Sequence, residues 1–260
     1  MCRLLGYLGQ PVLLDRLISQ SDHSLVAQSY QPQEMTAGLL NADGFGVGWY
    51  DSARGTEPFS YRNTLPIWND ANLQSLSRYI RSNCVLANVR SASAGLATDL
   101  SNCQPFQYAS MMGIHNGLIQ DFRKTLYRPI RERLSDLAYQ FIQGLTDSEH
   151  LFAMTIDELE TSANLTEALH RTLKVLTELA EEQQVAFSAN LILSDGYQLV
   201  ASRYAQRTST PTLYYLQNDS AVERSTFIAS EPTFAGDWQA LPERCLLTVD
   251  HDSKLDITPI

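Results

Sequence analysis

The second residue of the chain, Cys2, has the chemistry of a nucleophile if Met1 is removed. Cysteine is small enough to permit that removal, which would place its thiol beside a free α-amino group. An α-amino group has a pKa of about 7.7–8.0 and a thiol one of about 8.5, so proton exchange between them near neutral pH is nearly balanced. N-terminal nucleophiles use this match, with the amine as the base. The competing interpretation is a small buried residue at the start of a strand.

A second candidate group is His115-Asn116-Gly117, which follows the apolar run 111–114. The Asn116 side-chain amide and the Gly117 backbone N–H could both donate hydrogen bonds to an oxyanion, as in enzymes that transfer acyl groups. However, Asn-Gly between two apolar runs is also a strong signal for a hairpin turn. Taken alone, these residues favour the turn.

Two charged residues could bind the head group of a substrate. Arg90 ends the apolar run 84–89, where its planar guanidinium could hold a carboxylate or could simply be solvated at the end of a strand. Asp147 could bind an ammonium group, although Thr-Asp-Ser before an apolar helical pattern is typical of a helix N-cap. The nearby His150 is interpreted as a surface histidine.

The segment 43–50, with the sequence DGFGVGWY, alternates glycine with large apolar residues. This pattern predicts a strand in close contact with other backbone. The spacing is G-x-G-x-G and no G-K-[ST] follows, which argues against a phosphate-binding loop. We expect Gly44 and the glycines after it to let the backbone approach a ligand or a neighbouring sheet.

The elements that must position these residues fall into separate runs of strands and helices. Strands are predicted at 2–8, 43–50, 84–89, 111–114, 189–193, 198–204, 212–216, 225–229 and 246–249. Helices are predicted at 11–19, 24–28 and 164–184. Pro11 suits a first helical position, and Asn164 with Glu167 resembles a capping box. This grouping predicts an α+β fold with antiparallel sheets.

Length and composition predict a single globular domain over residues 1–260. The chain is 44% hydrophobic and 18% charged, which is typical of a protein that folds without stapling. Its formal net charge of −10 argues against nucleic acid or an anionic membrane as a partner. No run of about 18 apolar residues occurs, so no membrane-spanning helix is predicted.

The four cysteines, Cys2, Cys84, Cys103 and Cys245, form no Cys-x-x-Cys pair and no cluster with zinc spacing. We therefore expect neither a metal site nor a cofactor. No signal-peptide pattern precedes the first strand, so we expect a reducing cytoplasm, although four cysteines leave a disulfide pair open. Buried, inert thiols are the expectation for the three later cysteines.

Six sequence blocks, in their order along the chain, resemble the class II glutamine amidotransferases, a branch of the N-terminal-nucleophile hydrolases. The blocks are Cys2 directly after Met1, DGFGVGW at 43–49, VRSAS at 89–93, NCQPF at 102–106, HNG at 115–117 and TDSEHLF at 146–152. The resemblance spans most of the chain. It implies a four-layer αββα sandwich of two antiparallel sheets.

The resemblance also implies which residues perform the chemistry. Carried over residue by residue, it makes Cys2 the nucleophile and its own α-amino group the base. Asn116 and Gly117 would form the oxyanion hole. No metal ion or cofactor takes part in the chemistry that this resemblance implies.

Further residues would hold the substrate. By the same resemblance, Arg90 would bind the α-carboxylate of a glutamyl group, and Asp147 its α-ammonium. These opposite charges suit a zwitterionic amino-acid head group. His115 and Gly44 would be supporting residues around it.

Three phrases resemble one compact subgroup, the γ-glutamyl hydrolases of the ergothioneine pathway, which remove glutamate from γ-glutamyl hercynylcysteine sulfoxide. The phrases are YRNTLPIWND at 61–70, DSEHLF at 147–152 and IASEPTF at 228–234. The substrate of that subgroup carries a trimethylated amine. Trp49, Trp68 or Trp238 could contact such a cation through its aromatic face.

The function implied is cleavage of a γ-glutamyl amide in a small-molecule substrate. Since the amidohydrolase domain would take up nearly all of the 260 residues, no room is left for a synthase domain. This favours a stand-alone hydrolase. The alternative is a glutaminase subunit that supplies ammonia to a separate synthase partner. A binding domain without chemistry is disfavoured by the complete residue set, and a retained Met1 would revive it.

Overall fold

The computed structural model describes residues 1–34, 40–51, 53–92, 98–219 and 222–260. Ser93, the last residue of the VRSAS block, lies outside this part of the chain. In the described residues the strands are β1 (Arg3–Leu13), β2 (Phe45–Trp49), β3 (Phe59–Asn63), β4 (Arg81–Val89), β5 (Phe106–Tyr108), β6 (Met111–Ile119), β7 (Phe187–Ser194), β8 (Gln198–Arg203), β9 (Ala205–Gln206), β10 (Tyr214–Asp219), β11 (Val222–Ala229), β12 (Gln239–Ala240), β13 (Cys245–Asp250) and β14 (Leu255–Pro259). The α-helices are α1 (Leu14–Ile18), α2 (Leu25–Tyr30), α3 (Ala71–Ser77), α4 (Tyr127–Arg133), α5 (Asp136–Phe141), α6 (Asp147–Leu159) and α7 (Leu165–Glu182).

The strands form two antiparallel sheets. The first has the order β12-β10-β11-β1-β4-β2-β3, and the second has the order β14-β13-β8-β7-β6-β5, with β9 paired to β7. Helices α1–α3 pack on the outer face of the first sheet, and helices α4–α7 pack on the outer face of the second. A third buried cluster, with Leu4, Leu86, Ile114 and Ile192 among its members, fills the space between the sheets. The predicted α+β class and the αββα sandwich are confirmed.

Strand β1 occupies the centre of the first sheet, between β4 and β11. Leu4 and Leu8 point toward the second sheet, whereas Leu5 and Tyr7 point toward the helices. A strand that is buried on both faces needs a nearly continuous apolar run, which is the pattern that predicted it. The N-terminal end of the chain is therefore part of the core.

The predicted helix at 11–19 is wrong in its first residues. After a register shift in β1, Val12 and Leu13 still pair with β4, so α1 begins only at Leu14. Pro11 lies at this irregularity, which is one of the few positions where a sheet tolerates proline. Strand pairing therefore prevailed over the helical spacing of the segment.

The other two predicted helices are confirmed, and both are capped by side chains. Ser24 Oγ accepts from the backbone N–H of Ala27 at 3.3 Å at the start of α2. Asn164 Oδ1 accepts from the N–H of Glu167 at 2.9 Å at the start of α7. The apolar face of α7 is buried against the second sheet.

Several short elements were not predicted, namely β3, β5, β12, β14 and α3–α5. Strand β14 is an edge strand with mostly exposed side chains, so it lacks an apolar run. Helix α3 is held at its start by Asp70, whose Oδ1 accepts from the N–H groups of Asn72 and Leu73 at 2.9 Å each. Elements this short depend on caps and neighbours rather than on hydrophobic periodicity.

The cysteines outside the N-terminus are buried free thiols, as expected. Burial raises the pKa of the Cys84 thiol to about 12 and also raises the pKa of Cys103. These two thiols are therefore protonated near neutral pH and weak as nucleophiles. Among the described residues, no helix combines the length and the apolar character needed to cross a bilayer.

His150 is not a surface histidine, contrary to the prediction, because its side chain is fully buried in α6. Its Nδ1 donates to the Thr146 carbonyl at 2.7 Å, and its Nε2 accepts from Arg131 Nε at 2.9 Å. The rings of Phe122 and Tyr127 pack against it, each with its centroid 4.9 Å away. Burial lowers the pKa of His150 to about 4, so the folded protein holds it neutral near pH 7.

We expect the protein to lose stability as the pH falls from about 6.5 to 4, in part through His150. The unfolded chain binds this proton near the ordinary pKa of about 6.5 and the folded chain only near 4, so the loss is roughly 3 kcal/mol. Urea unfolding at pH 7 and pH 4 measures it. His150→Gln should lose less stability over this range, whereas the exposed control His170→Gln should match the wild type. Equal losses in all three proteins would contradict the assignment.

Candidate active site

The chain is anchored at the residues that directly follow Cys2. Arg3 Nη1 donates to Glu231 Oε1 at 2.9 Å, and each side chain is only 1% exposed. The N–H of Leu4 donates to Ser230 Oγ at 3.0 Å, and the Leu4 carbonyl accepts from the Ser230 N–H at 3.1 Å. Because side-chain and backbone hydrogen bonds both hold the start of β1, the backbone next to Cys2 has a fixed position.

The carboxylate of Glu231 forms hydrogen bonds with groups from several segments of the chain. His23 Nε2 lies 2.8 Å from Oε2, and the backbone N–H groups of Gln33 and Glu34 donate to the carboxylate at 2.8 Å and 3.1 Å. A buried ion pair is tolerated only when further hydrogen bonds offset its desolvation. The Glu231 carboxylate thus ties the first strand to the chain that follows α2.

Cys2 itself is half-buried, and its Sγ lies 4.0 Å from the carbonyl oxygen of Ser91. The amino group of Met1 lies in the same surroundings. Burial lowers the pKa of this amino group, while the negative charges of the Cys2 thiolate and the Asp43 carboxylate oppose the shift. The lowered pKa favours the free-base form of the Met1 amino group.

Arg90 directly follows β4, as predicted, and its side chain is buried. Its N–H donates to the Gly44 carbonyl at 2.9 Å, and its Nη1 donates to the Asp43 carbonyl at 3.1 Å. The Asp43 carboxylate is occupied by the N–H of Ala92 at 2.8 Å. Within the described residues no carboxylate is in ion-pair contact with Arg90. Its guanidinium therefore keeps its charge for an incoming anion.

The glycines of β2 and the turn before it allow a neighbouring segment to cross closely over this strand. Gly44 has a φ of +109°, and a Cβ built there would lie 2.7 Å from Cys103 Sγ. A Cβ at Gly46 would overlap the carbonyl oxygen of Gln104. The close backbone approach predicted for these glycines is confirmed, and the approaching chain is the NCQPF block.

Along one edge of β6, the side chain of Gln104 makes the two backbone hydrogen bonds that a neighbouring strand would otherwise make. Its Oε1 accepts from the N–H of His115 at 2.5 Å, and its Nε2 donates to the His115 carbonyl at 3.2 Å. Further along, the N–H of Ile119 donates to Asp147 Oδ2 at 2.9 Å. Because N–H directions alternate along a strand, the N–H of Gly117 lies on this same edge between the two. In the described part of the chain no side chain accepts from it.

Asn116 and Gly117 lie inside β6, so the hairpin-turn alternative is wrong. The Asn116 side chain is buried, yet among the described residues neither its Oδ1 nor its Nδ2 has a hydrogen-bond partner. A buried polar group left without a partner costs about 1–3 kcal/mol. Such a group calls for an explanation, and a bound ligand that completes its bonds supplies one. Two unused donors therefore lie on adjacent residues.

Contacts between the sheets show how their strands are aligned. Cys84 Sγ of β4 lies 3.1 Å from Ser194 Oγ of β7. Closer to the N-terminus of β1, Gly6 faces Ile192, and a Cβ built at Gly6 would lie 3.1 Å from the Ile192 Cγ2. Moving from residue 194 to residue 190 along β7 therefore leads toward the beginning of β1.

This alignment places Cys2 and Asn116 at the same end of the sandwich, on its two facing sides. Asn116 is the register partner of Asn190, which lies two residues beyond the Gly6 contact. Cys2 lies at the matching end of β1, and the β1–β4 register puts Arg90 beside it. The structure thus brings together the predicted nucleophile, the predicted carboxylate-binding arginine and the two predicted oxyanion donors.

His115 and Asp147 lie on the outer side of β6 and are joined through Ser148. His115 Nδ1 is 2.8 Å from Ser148 Oγ, and the Ser148 N–H donates to Asp147 Oδ1 at 2.8 Å. Burial lowers the pKa of His115, with the Asp147 carboxylate opposing the shift. Asp147 is not the N-cap of α6, because Thr146 Oγ1 accepts from the Glu149 N–H in that role. The half-buried carboxylate of Asp147 instead holds the end of β6.

The comparison with known proteins decides the family. The model of the class-II glutamine amidotransferases matches residues 1–229. The chain is a member of the class II glutamine amidotransferase family. It is accordingly an enzyme that hydrolyses amide bonds, and the resemblance read from the six sequence blocks is confirmed.

Individual relatives of this class II glutamine amidotransferase match along nearly its whole length. It is 31% identical to the probable glutamine amidotransferase DUG3 of Saccharomyces cerevisiae, over 98% of this chain and 83% of that one. It is 30% identical to the gamma-glutamyl-hercynylcysteine sulfoxide hydrolase of Mycolicibacterium smegmatis, over 100% of both chains. A solved glutamine aminotransferase class-II domain protein from Silicibacter pomeroyi matches with a TM-score of 0.72 and 25% identity, covering 100% of this chain and 99% of that one.

Three residues that shape the site were not singled out from the sequence, although each lies inside a quoted motif. They are Asp43 in DGFGVGW, Gln104 in NCQPF and Glu231 in IASEPTF. Their side chains bond to residues 49, 11 and 228 positions away in the chain. No local spacing identifies partners at such distances. The presence of a charged or amide residue inside a motif was the only available signal.

We expect Gly117→Ala to remove most of the activity of this class II glutamine amidotransferase. The added Cβ would overlap the Ser188 carbonyl oxygen on β7, so β6 must shift where both predicted oxyanion donors lie. Losing one such donor typically lowers the rate by about 10²–10³-fold. The readout is kcat for amide hydrolysis.

Gly113→Ala is the matched control on the same strand. A Cβ there meets the side chains of Leu193 and Phe152, which can move, so we expect a lower Tm and an unchanged kcat. If Gly117→Ala kept the wild-type kcat, Gly117 would not belong to the catalytic machinery.

Proposed function

We propose that the enzyme hydrolyses a γ-glutamyl amide with Cys2 as its nucleophile and releases glutamate. The observation that carries this proposal is the buried, unpartnered amide of Asn116 beside the open N–H of Gly117, at the end of the sandwich that holds Cys2. Preorganised donors that face a nucleophile are what the oxyanion of a tetrahedral intermediate requires.

In the proposed reaction the free α-amino group of mature Cys2 takes the proton of its thiol. The sulfur attacks the γ-carbonyl carbon, and the resulting oxyanion receives hydrogen bonds from Asn116 Nδ2 and the Gly117 N–H. When the oxyanion collapses, the C–N bond breaks and the ammonium of Cys2 gives its proton to the leaving nitrogen. Water then hydrolyses the thioester, which releases glutamate and restores the thiol.

Arg90 and Asp147 are proposed to bind the two charges of the glutamyl head group. The buried guanidinium of Arg90 has no carboxylate partner of its own in the described chain, and it would pair with the α-carboxylate. The Asp147 oxygens accept from two backbone N–H groups, which leaves lone pairs for the α-ammonium. His115 would support Asp147 through Ser148.

Gly44 is proposed to support the site from the first sheet. Its carbonyl accepts from the Arg90 N–H, and its positive φ lets the chain turn from Asp43 into β2. The conformation places the Asp43 carbonyl where Arg90 Nη1 reaches it. Gly44 would thereby fix the direction of the guanidinium that receives the substrate.

The finer proposal is a stand-alone hydrolase that acts on a γ-glutamyl conjugate in ergothioneine biosynthesis. The mycobacterial relative, whose name states this kind of activity, matches from end to end. Tyr30 and Trp68 form a solvent-exposed edge-to-face pair with centroids 5.9 Å apart, and we propose that it contacts the cationic part of the leaving group. Free thiols at all four cysteines suit a reducing compartment such as the cytoplasm.

The second candidate is a glutaminase subunit that passes ammonia to a separate synthase. Its support is the yeast relative, which is named a probable glutamine amidotransferase and matches over 98% of this chain. The same site chemistry serves both candidates. They differ in the leaving group and in the need for a partner.

The first test measures glutamate release by the purified enzyme from glutamine and from γ-glutamyl hercynylcysteine sulfoxide. We expect kcat/KM to be at least about tenfold higher for the conjugate, a difference of roughly 1.4 kcal/mol in transition-state binding. Cys2→Ala should release no glutamate from either compound. Preference for glutamine would favour the amidotransferase subunit, and no release from either compound would refute the proposed function.

The second test is the intact mass of the purified protein. We expect a mass lower than that of the full sequence by one methionine residue, because the mechanism needs a free amine on Cys2. With Met1 retained, the Cys2 nitrogen would be an amide without basic character. A fully active enzyme that still carried Met1 would therefore rule out this mechanism.

A further inference from the structure

We propose that Asn190 is a positioning residue that orients the Asn116 amide for oxyanion binding, an inference that rests on the function proposed above. The two residues are register partners on the adjacent strands β7 and β6. Directly opposed residues of an antiparallel pair have Cβ atoms about 4.5–5.5 Å apart. Both side chains share the inter-sheet face with their neighbours Ile114 and Ile192.

The orientation of the Asn190 amide is set by its own hydrogen bonds. Its Nδ2 donates to the Pro211 carbonyl at 3.0 Å and to the Thr212 carbonyl at 3.2 Å. Both amide protons are therefore used, and Oδ1 must be the atom on the other side. This Oδ1 is buried and finds no donor among the described residues. Asn190 thus offers an unused acceptor beside the unused donor of Asn116.

Arg203 also lies close to Asn190, and its nitrogens are engaged elsewhere. Its Nε donates to the same Pro211 carbonyl at 3.0 Å, and its Nη1 donates to another backbone carbonyl at 2.6 Å. Its Nη2 lies 3.6 Å from a carboxylate oxygen of Glu243. Asn116, the register partner of Asn190, has a side-chain amide that donates to no acceptor among the described residues, and it is the donor assigned here to Asn190 Oδ1.

The hydrogen bond between the two amides requires a rotation of Asn116 about its last side-chain torsion, since the two amides are not hydrogen-bonded to each other in this structure. That torsion is soft in asparagine. Once one Nδ2 proton of Asn116 binds Asn190 Oδ1, the second proton is free for the oxyanion and Oδ1 of Asn116 points away. Without Asn190 the amide could flip and present an oxygen to the oxyanion.

A double-mutant cycle tests this role. Asn190→Leu keeps the branched shape of the side chain and removes the acceptor, so kcat should fall about five- to tenfold, the effect of one neutral hydrogen bond. KM should change by less than about twofold, because the lost interaction serves the transition state. Asn116→Ala should lower kcat by about 10²–10³-fold, and adding Asn190→Leu should lower it no further. If the fall in kcat of the double variant equalled the product of the two single falls, Asn190 would act independently of Asn116. That result would overturn the proposal.

Ile192→Val is the matched structural control. It lies two residues from Asn190 on the same face of β7, and it contacts Gly6 rather than the site. We expect a lower Tm with unchanged kcat and KM. A fall in kcat equal to that of Asn190→Leu would show that any loosening of β7 reduces the rate, which would also overturn the proposal. If Asn190→Leu does not fold, Asn190→Ala removes the same acceptor with a smaller side chain.

An NMR measurement separates this inference from the proposed function, because it requires no turnover. The side-chain amide signals of Asn116 are identified by their absence in Asn116→Ala. In the wild type one of these protons should lie downfield, as a hydrogen-bonded proton does, and it should move upfield in Asn190→Ala. Unchanged signals would overturn the positioning role even in an active enzyme. The expected shift without glutamate release would support the contact and refute the proposed function.

Discussion

The buried ion pair between Arg3 and Glu231 holds the part of the chain that would otherwise fray. Chain ends are usually mobile because few contacts tie them down. Here the ion pair lies one residue after Cys2, and Glu231 gains further donors from His23, Gln33 and Glu34. Those donors make the burial of two charges tolerable. The position of the thiol, and hence of everything that must face it, follows from this anchor.

The side chains that fill the space between the two sheets change from apolar to polar along the strands. Leucine and isoleucine fill it at one end, whereas Asn88, Asn116 and Asn190 occupy it next to Cys2. Each of these amides keeps an oxygen without a hydrogen-bond partner in the described chain. A core selected for stability alone would hold apolar residues here. Buried amides without partners make this end of the sandwich less stable than an apolar core would be. The same polar groups can bind a polar substrate.

The sequence predicted residues with distinctive local patterns and missed those defined by distant partners. The apolar run after Cys2 and the helix from Leu165 have the required periodicity, so both were found. Arg90 and Asn116 were proposed as site residues from the order of the sequence blocks, and their roles remain predictions. His150 was misjudged because a lone polar residue in a helix carries no sign of its burial. Asn190 was missed for a related reason, since the register between two strands determines its neighbour and a single sequence does not show register.

Because Arg3 and Glu231 are 228 positions apart, their ion pair cannot form until late in the synthesis of the chain. A ribosome adds about 5–20 residues per second, so the N-terminus waits roughly 10–50 seconds before residue 231 exists. During that interval β1 has no β11 to pair with, and Met1 is exposed. In the finished fold Met1 is half-buried. The proposed removal of Met1 would therefore be easiest during synthesis, before residues 230 and 231 bind the start of β1.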